Sequence, residues 1–367
     1  MHAATIIVKW IGTILLWLTV AVCLVATIVP PFLDRAYYRG GASGHFDAER
    51  FFNPDGEDTA SPPTGGNRAG FLWRQATGGD GRPAWPASVR VRQAKPPARV
   101  DGGAMTVTWI GHATLLVQAN GINILTDPVF ADTAGPFGFG PKRVSPPGVR
   151  FEDLPKIDLV LVSHNHYDHM DLATLRRLWD RDRPQVVTSL GNDAVIGGAG
   201  VPSRALDWGQ RIALRPGIEV AVTRNHHWGS RWFSDRNRAL WSSFVVRMPG
   251  GNFFFAGDTG LGDGKWPAEA AALGPIRLAA IPIGAFRFVP GQMDTGSHIG
   301  PAQAVRVWDG LGRPSAIPIH WGTFRLSYEG FATPPRMLSA LMRCAGADAG
   351  RFGPRAIGVA MAVPPLG

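Results

Sequence analysis

The run Ile157–Asp171, IDLVLVSHNHYDHMD, decides how the rest of this chain is read. Its first part, Ile157–His164, is continuously apolar enough to be a strand buried on both faces. In an extended segment residues i and i+2 point the same way, so His164 and His166 can face one ion. Asp168 and His169 follow where the chain turns into a helix capped by Asp171. That turn can aim a carboxylate and a third imidazole at a second ion. Three histidines and one aspartate already exceed what a single catalytic zinc usually takes from protein. Behind them, Leu172, Leu175, Leu178 and Trp179 share one stripe of the helix.

If this is half of a site, further ligands belong at other strand ends, where layered α/β folds gather their sites. Three more runs obey the rule of apolar strand followed by ligand. VAVTRNHHWG (220–229) ends in His226 and His227, NFFFAGDTG (252–260) in Asp258 among glycines, and AIPIHWGT (316–323) in His320. Alone, each has an ordinary explanation: a hydrogen-bonded histidine, or an aspartate that forms a turn. Six of the ten histidines in these four tips is what points to metal. Zinc is the default for an imidazole-dominated site without thiolates, and iron or manganese fits the same side chains. Two divalent ions, two carboxylates and a hydroxide leave a net positive centre, which suits a phosphodiester and its transition state.

The surrounding pattern predicts the architecture. Short β-rich runs at Thr106–Gly111, Ala113–Ala119 and Ile122–Asp127 include a hairpin signal at Asn120-Gly121. Further strands are expected at Val186–Ser189, Glu219–Arg224, Ser242–Arg247, Asn252–Ala256, Leu278–Ile283 and Ala316–Ile319. Helices are expected at Pro267–Leu273, Pro301–Trp308 and Pro334–Cys344. Hairpins first, then strands alternating with helices, twice over, imply two sheets packed face to face with helices outside.

Before this hydrolase-like region (105–367) lie a short tail (1–9), an apolar run (10–29) and a Gly/Pro/Arg-rich lead-in (30–104). Trp10–Val29 has no charge and is long enough for a single transmembrane anchor of about 30 Å. Pro30 and Pro31 are expected to stop that helix. A cleaved signal has a shorter apolar core and a small-x-small site, neither of which is evident here, and Val22 is too bulky for a lipoprotein reading of Cys23. Lys9 on one side and Arg35 and Arg39 on the other leave the membrane side open. In the lead-in, FDAERFFNP (46–54) is expected to pack on the domain.

Composition narrows the classes. Hydrophobic residues are 45% and charged residues 18% of the chain, which excludes a disordered protein. The net charge of +9 is carried almost wholly by arginine. No dense basic run with interleaved aromatics occurs, so a nucleic-acid partner is not expected, and phospholipid headgroups are the anionic alternative. Cys23 and Cys344 make neither a structural disulfide nor a zinc site.

Read together, the motifs resemble the metallo-β-lactamase superfamily. HNHYDH (164–169) is similar to its HxHxDH signature. WIGHAT (109–114), HHWGSR (226–231), FFFAGDTG (253–260), LAAIPIGA (278–285) and IHWGTF (319–324) resemble, in order, the N-acylphosphatidylethanolamine-hydrolysing phospholipase D branch. The resemblance runs from about Phe46 to Leu341. It implies an αββα sandwich with a dinuclear zinc site: His164, His166 and His227 on one zinc, Asp168, His169 and His320 on the other, Asp258 between. Asp168 and His298 are the catalytic side chains it implies, with His298, in SHIGPAQAV (297–305), a proton donor or phosphate contact. A cap before the Pro301 helix is the plainer role for His298. The expected function is a membrane-anchored, zinc-dependent phospholipase D-like phosphodiesterase. A lactonase or amide hydrolase on the same site, and a non-catalytic lipid- or metal-binding protein, are the alternatives.

Overall fold

The computed structural model describes residues 2–33, 35–56, 82–232, 234–288, 295–348 and 350–367. The Gly/Pro-rich middle of the lead-in, 57–81, lies outside the described residues.

Helix α1 runs from His2 to Leu33. Its segment Thr5–Val29, 25 residues of mean hydropathy 2.4 with none of it buried, is long and apolar enough to cross a membrane. The expectation that Pro30 and Pro31 end the helix at Val29 is corrected. Both fall inside the last turn, which closes at Leu33.

Two sheets follow. The first has the order β13-β1-β2-β3-β4-β5-β6 and the second β12-β11-β10-β9-β8-β7. The first is built from β1 (Met105–Gly111), β2 (Thr114–Ala119), β3 (Ile122–Thr126), β4 (Leu159–Val162), β5 (Gln185–Ser189), β6 (Arg204–Leu206) and β13 (Ala360–Ala362). The second holds β7 (Arg211–Arg215), β8 (Ile218–Thr223), β9 (Ser243–Arg247), β10 (Asn252–Phe255), β11 (Ile276–Pro282) and β12 (Ser315–Ile319). Asn120 and Gly121 both take positive φ, 50° and 68°, as the two-residue turn between β2 and β3 demands. Strands β3 to β6 run parallel, as do β10 to β12. The remaining pairs are antiparallel.

Side-chain alternation turns these sheets into layers. Val107, Leu115, Ile124, Leu159 and Leu161 meet Val220, Phe244, Phe253, Phe255 and Ile317 between the sheets. On the outer face of the first sheet, Val160 and Val162 pack on α2 (Leu172–Asp182) through Leu175 and Leu178, and on Ile196 of α3 (Asn192–Gly197). On the outer face of the second, Phe254, Ala279 and Ile281 receive α4 (Trp266–Ala271), α5 (Pro301–Gly310) and α6 (Thr333–Cys344). The result is αββα. Each fully buried aliphatic or aromatic side chain contributes about 1.5–3 kcal/mol, so a charge at Val160 would collapse the first interface. The expected strands and helices of the sandwich appear within two residues of their expected ends, whereas α1 begins eight residues before Trp10, taking in the expected tail 1–9, and ends four after Val29. Strands β6, β7 and β13 and helix α3 were not expected, because the strands are short or lie at sheet edges and α3 has six residues.

Part of the lead-in is bound to this body. Phe46 and Phe51 are buried against Leu240 and Trp241, with Tyr38 beside them.

Candidate metal centre

Strands β1, β3, β4, β8, β10 and β12 all point their C-terminal tips to one end of the sandwich, because β1 parallels β3 and β8 parallels β10 across single antiparallel neighbours. Every candidate side chain rises from this end or from the loops beside it.

The first cluster is His164, His166 and His227, whose ligand atoms lie within 4.8 Å of one another. His164 Nε2 is 2.7 Å, and His227 Nε2 3.4 Å, from Nδ1 of His166. The far nitrogens are held: His164 Nδ1 by Ser163 Oγ at 2.9 Å, and His227 Nδ1 by the Ser297 carbonyl at 2.8 Å. Trp228 packs against the His166 ring at 4.2 Å.

The second cluster is Asp168, His169, His320 and a residue not expected, His112. Asp258 lies among them, its Oδ2 3.0 Å from His169 Nε2 and 2.9 Å from His320 Nε2. Asp168 Oδ2 sits 3.0 Å from His112 Nε2 and 3.5 Å from His320 Nε2. His169 Nδ1 is fixed by buried Asp127 at 2.6 Å, and Asp127 also takes the Ser163 hydroxyl at 2.6 Å. Ligating imidazoles are characteristically oriented by such a partner on the other nitrogen. Asp127 was not expected either. His112 and Asp127 each follow an apolar strand, β1 and β3, so the tip rule contains both.

The pair His226–His227 separates. His227 joins the first cluster, whereas His226 Nδ1 turns away to Asp55 at 2.9 Å. Asn53 braces the same spot, donating to the His227 carbonyl at 2.9 Å and accepting from Trp241 Nε1 at 3.1 Å. His298 stands over the centre, its Nδ1 3.7 Å from Asp258 Oδ2 and its ring 5.1 Å from that of His227. Its backbone N–H donates to Thr295 Oγ1 at 2.8 Å. Gly257 and Gly260 let the Asp258 loop through. At Gly257, φ is +61° and a Cβ would strike Ser163. At Gly260 a Cβ would collide with the Gly296 carbonyl. The Gly260 N–H donates to the His226 carbonyl at 2.5 Å, and the Ile299 N–H to the Thr259 carbonyl at 2.9 Å.

Electrostatics divide the two clusters. Burial, and then neighbouring histidines, hold His164 and His227 well below the ordinary imidazole range. Burial takes His166 down to about 3. Three neutral imidazoles thus present lone pairs. In the second cluster burial also takes His112 down to about 3, but at His169 and His320 it is outweighed. Asp258 and Asp168 raise His169 well above its ordinary value and His320 to about 9. Against their own burial, His169 with His112 depresses Asp168, and His169 with His320 depresses Asp258. A buried carboxylate and a half-buried one demand positive charge in their midst. Protons on His169 and His320 supply it here, and divalent ions fit the same place. The orphaned atoms agree: His166 Nε2 and Asp258 Oδ1 are buried without a hydrogen-bond partner.

Residues 122–321 match the family model described as "Beta-lactamase superfamily domain", and the chain belongs to that superfamily. It is a metal-dependent hydrolase. More particularly, it is a homologue of N-acyl-phosphatidylethanolamine-hydrolyzing phospholipase D 1 of Caenorhabditis elegans. The two are 37% identical over 241 residues, 62% of this chain and 67% of that protein. A metal-dependent hydrolase of Nitratidesulfovibrio vulgaris is 29% identical over 226 residues, covering 59% of this chain and 80% of the relative. The crystal structure of a possible metal-dependent hydrolase from Veillonella parvula shares the fold, with a TM-score of 0.56 at 15% identity, over 70% of this chain and 99% of that one.

Proposed function

We propose that this protein hydrolyses a membrane phospholipid at the phosphodiester bond, in the manner of phospholipase D, releasing N-acylethanolamine and phosphatidic acid. The observation that carries the reading is the 37% identity to a protein named for that reaction, over a stretch long enough to include the two clusters. His164, His166 and His227 would hold one ion, Asp168, His169 and His320 the other, with Asp258 shared. Zinc suits this donor set best. When bound, such a pair supplies the Lewis acidity and positive charge that phosphoryl transfer to water requires.

The chain's own residues do the rest. Ser163, Asp127 and the Ser297 carbonyl lock three imidazoles in one tautomer and orientation. His298 is drawn by burial to about 4 and is therefore neutral at pH 7. It meets a phosphoryl or leaving-group oxygen as an N–H donor, not as a permanent cation. Helix α1 would tether the site to the bilayer that contains its substrate.

The test is the full chain purified in detergent, its metal content measured, and supplied with N-acylphosphatidylethanolamine. Release of both products, abolished in His166→Ala, is expected. Turnover of a lactone or an N-acyl amide in place of the diester would reassign the bond broken. Stoichiometric zinc with no turnover of any of these would leave a binding protein.

A further inference from the structure

Two phenylalanines stand out of the surface. Phe137 is 85% and Phe139 75% exposed, more than any large hydrophobic side chain among the described residues, α1 included. They occupy the tip of the loop Ala134–Pro141, AGPFGFGP. The tip is held by its stem. The Ala134 N–H donates to the Pro141 carbonyl at 2.9 Å, and the Arg143 N–H to the Asp132 carbonyl at 2.8 Å. The Arg143 guanidinium ties the base to the carbonyls of Val129 and Ala131, at 2.7 and 3.1 Å. Phe137 itself takes a left-handed φ of 54°, between glycines at 135 and 138. A backbone that disfavours an ordinary side chain is maintained here, at a residue whose ring is almost wholly exposed.

The tip meets the loop that borders the metal centre. Phe137 lies 6.2 Å from Trp232 by ring centroids, and Trp232 belongs to the loop whose Trp228 packs on His166. Exposed Lys142 stands at the stem, and exposed Arg236 lies over the Trp228 ring at 4.2 Å. Asp132 is the exposed acid of the stem. Aromatic rings at a loop tip, flanked by a surplus of cations, match the boundary between acyl chains and anionic headgroups. The same chain carries an apolar helix of 25 residues with none of it buried, so a bilayer is the surface it is equipped to meet.

We propose that the Phe137–Phe139 tip inserts into the lipid surface beside the mouth of the metal centre, with Lys142 and Arg236 among anionic headgroups. The substrate diester would then pass from the bilayer into the site without crossing water. This deepens, and in its kinetic consequence rests on, the phospholipid reading above.

The experiment uses the full chain, with Cys23→Ser and Cys344→Ser, reconstituted in phosphatidylcholine–phosphatidylglycerol vesicles. A nitrobenzoxadiazole label is placed at Phe139→Cys. The control is Asp309→Cys, at the end of α5 remote from the strand tips. A blue shift at position 139, with quenching by nitroxide lipids and none at position 309, is expected. A water-like spectrum at both positions overturns the proposal. In the second arm, Phe137→Ser/Phe139→Ser should slow turnover of vesicle-embedded N-acylphosphatidylethanolamine by roughly ten-fold or more, as losing about one ring's burial implies. Turnover of soluble bis(p-nitrophenyl) phosphate should be unchanged. Equal loss on both substrates counts against insertion. If the parent protein cleaves no lipid, the phospholipid reading fails, while the label at position 139 still decides the loop.

Discussion

His112 and Asp168 meet inside the second cluster, the imidazole Nε2 3.0 Å from the carboxylate Oδ2. His112 is buried, takes a positive φ of 51°, and sets its ring 4.1 Å from that of His320 at a tilt of 45°. It therefore fixes a carboxylate of the second cluster, or adds a nitrogen to it. His112→Ala should weaken metal binding roughly 10–100-fold, the usual effect of losing such a partner. Chelator competition on the purified protein measures it. Unaltered affinity would give His112 a packing role only.

Adjacent histidines should behave oppositely. His227→Ala should lose metal and activity together. His226→Ala should retain metal but lose about 0.5–1.5 kcal/mol of stability, because Asp55 loses one hydrogen bond while Arg224 and the Asp263 N–H still meet its other oxygen. Metal analysis and denaturant titration of the two variants separate the effects. Metal loss in His226→Ala would show that the separation described above is mistaken.

Asn53 links residues distant in sequence. Its two hydrogen bonds, to His227 and to Trp241, bridge 174 and 188 positions. Asn53→Ala strands a buried carbonyl and a buried indole N–H, at a cost of about 1–3 kcal/mol. Because the carbonyl belongs to His227, the variant should also release metal faster into a chelator. Normal release with lowered stability would confine Asn53 to bracing the fold.

Acid should destabilise the metal-free protein from about pH 6.5 downward. Unfolded, His164, His166 and His227 take up protons near 6.5. Folded, burial holds His166 to about 3 and the other two well below their ordinary value. The unfolded state thus binds more protons across this window, and stability falls with pH. His169 and His320, protonated when folded and titrating near 6.5 when unfolded, oppose this slope around pH 6.5 and add none well below it, and as two groups against three they do not reverse it. Their contribution is present below 6.5 and is lost as pH rises, for His320 through about 9. Denaturant midpoints of chelator-treated protein at pH 7, 6 and 5 test this. A midpoint that climbs on acidification would falsify it.

Much of the site is legible in the sequence because its chemistry obeys one local rule, ligand after apolar strand. The rule yields His164, His166, His227, Asp258 and His320 directly, and extends through the tight turn to Asp168 and His169. His112 and Asp127 satisfy it too, but the first sits in a tight Gly-His turn and the second before a proline, where a turn residue is the ordinary reading. Asn53 and Asp55 are different in kind. Their partners lie 174 and 171 residues away, and no local pattern encodes contacts of that range. The fold shows the same division. Strands with one or two buried faces announce themselves, whereas the edge strand RIALR, alternately half-buried and exposed, resembles a polar loop.

Gly260 carries a mechanical implication. Its missing side chain lets the Asp258 loop lie flush against residues 295–298, and backbone hydrogen bonds at Gly260 and Thr259 pin that loop to His226 and Ile299. Neither segment can slide past the other. The acid shared between the clusters and the histidine that overhangs them must travel together or stay still. Adjustment to an arriving substrate then falls to the aromatic rim, which works like a door hung on a fixed frame.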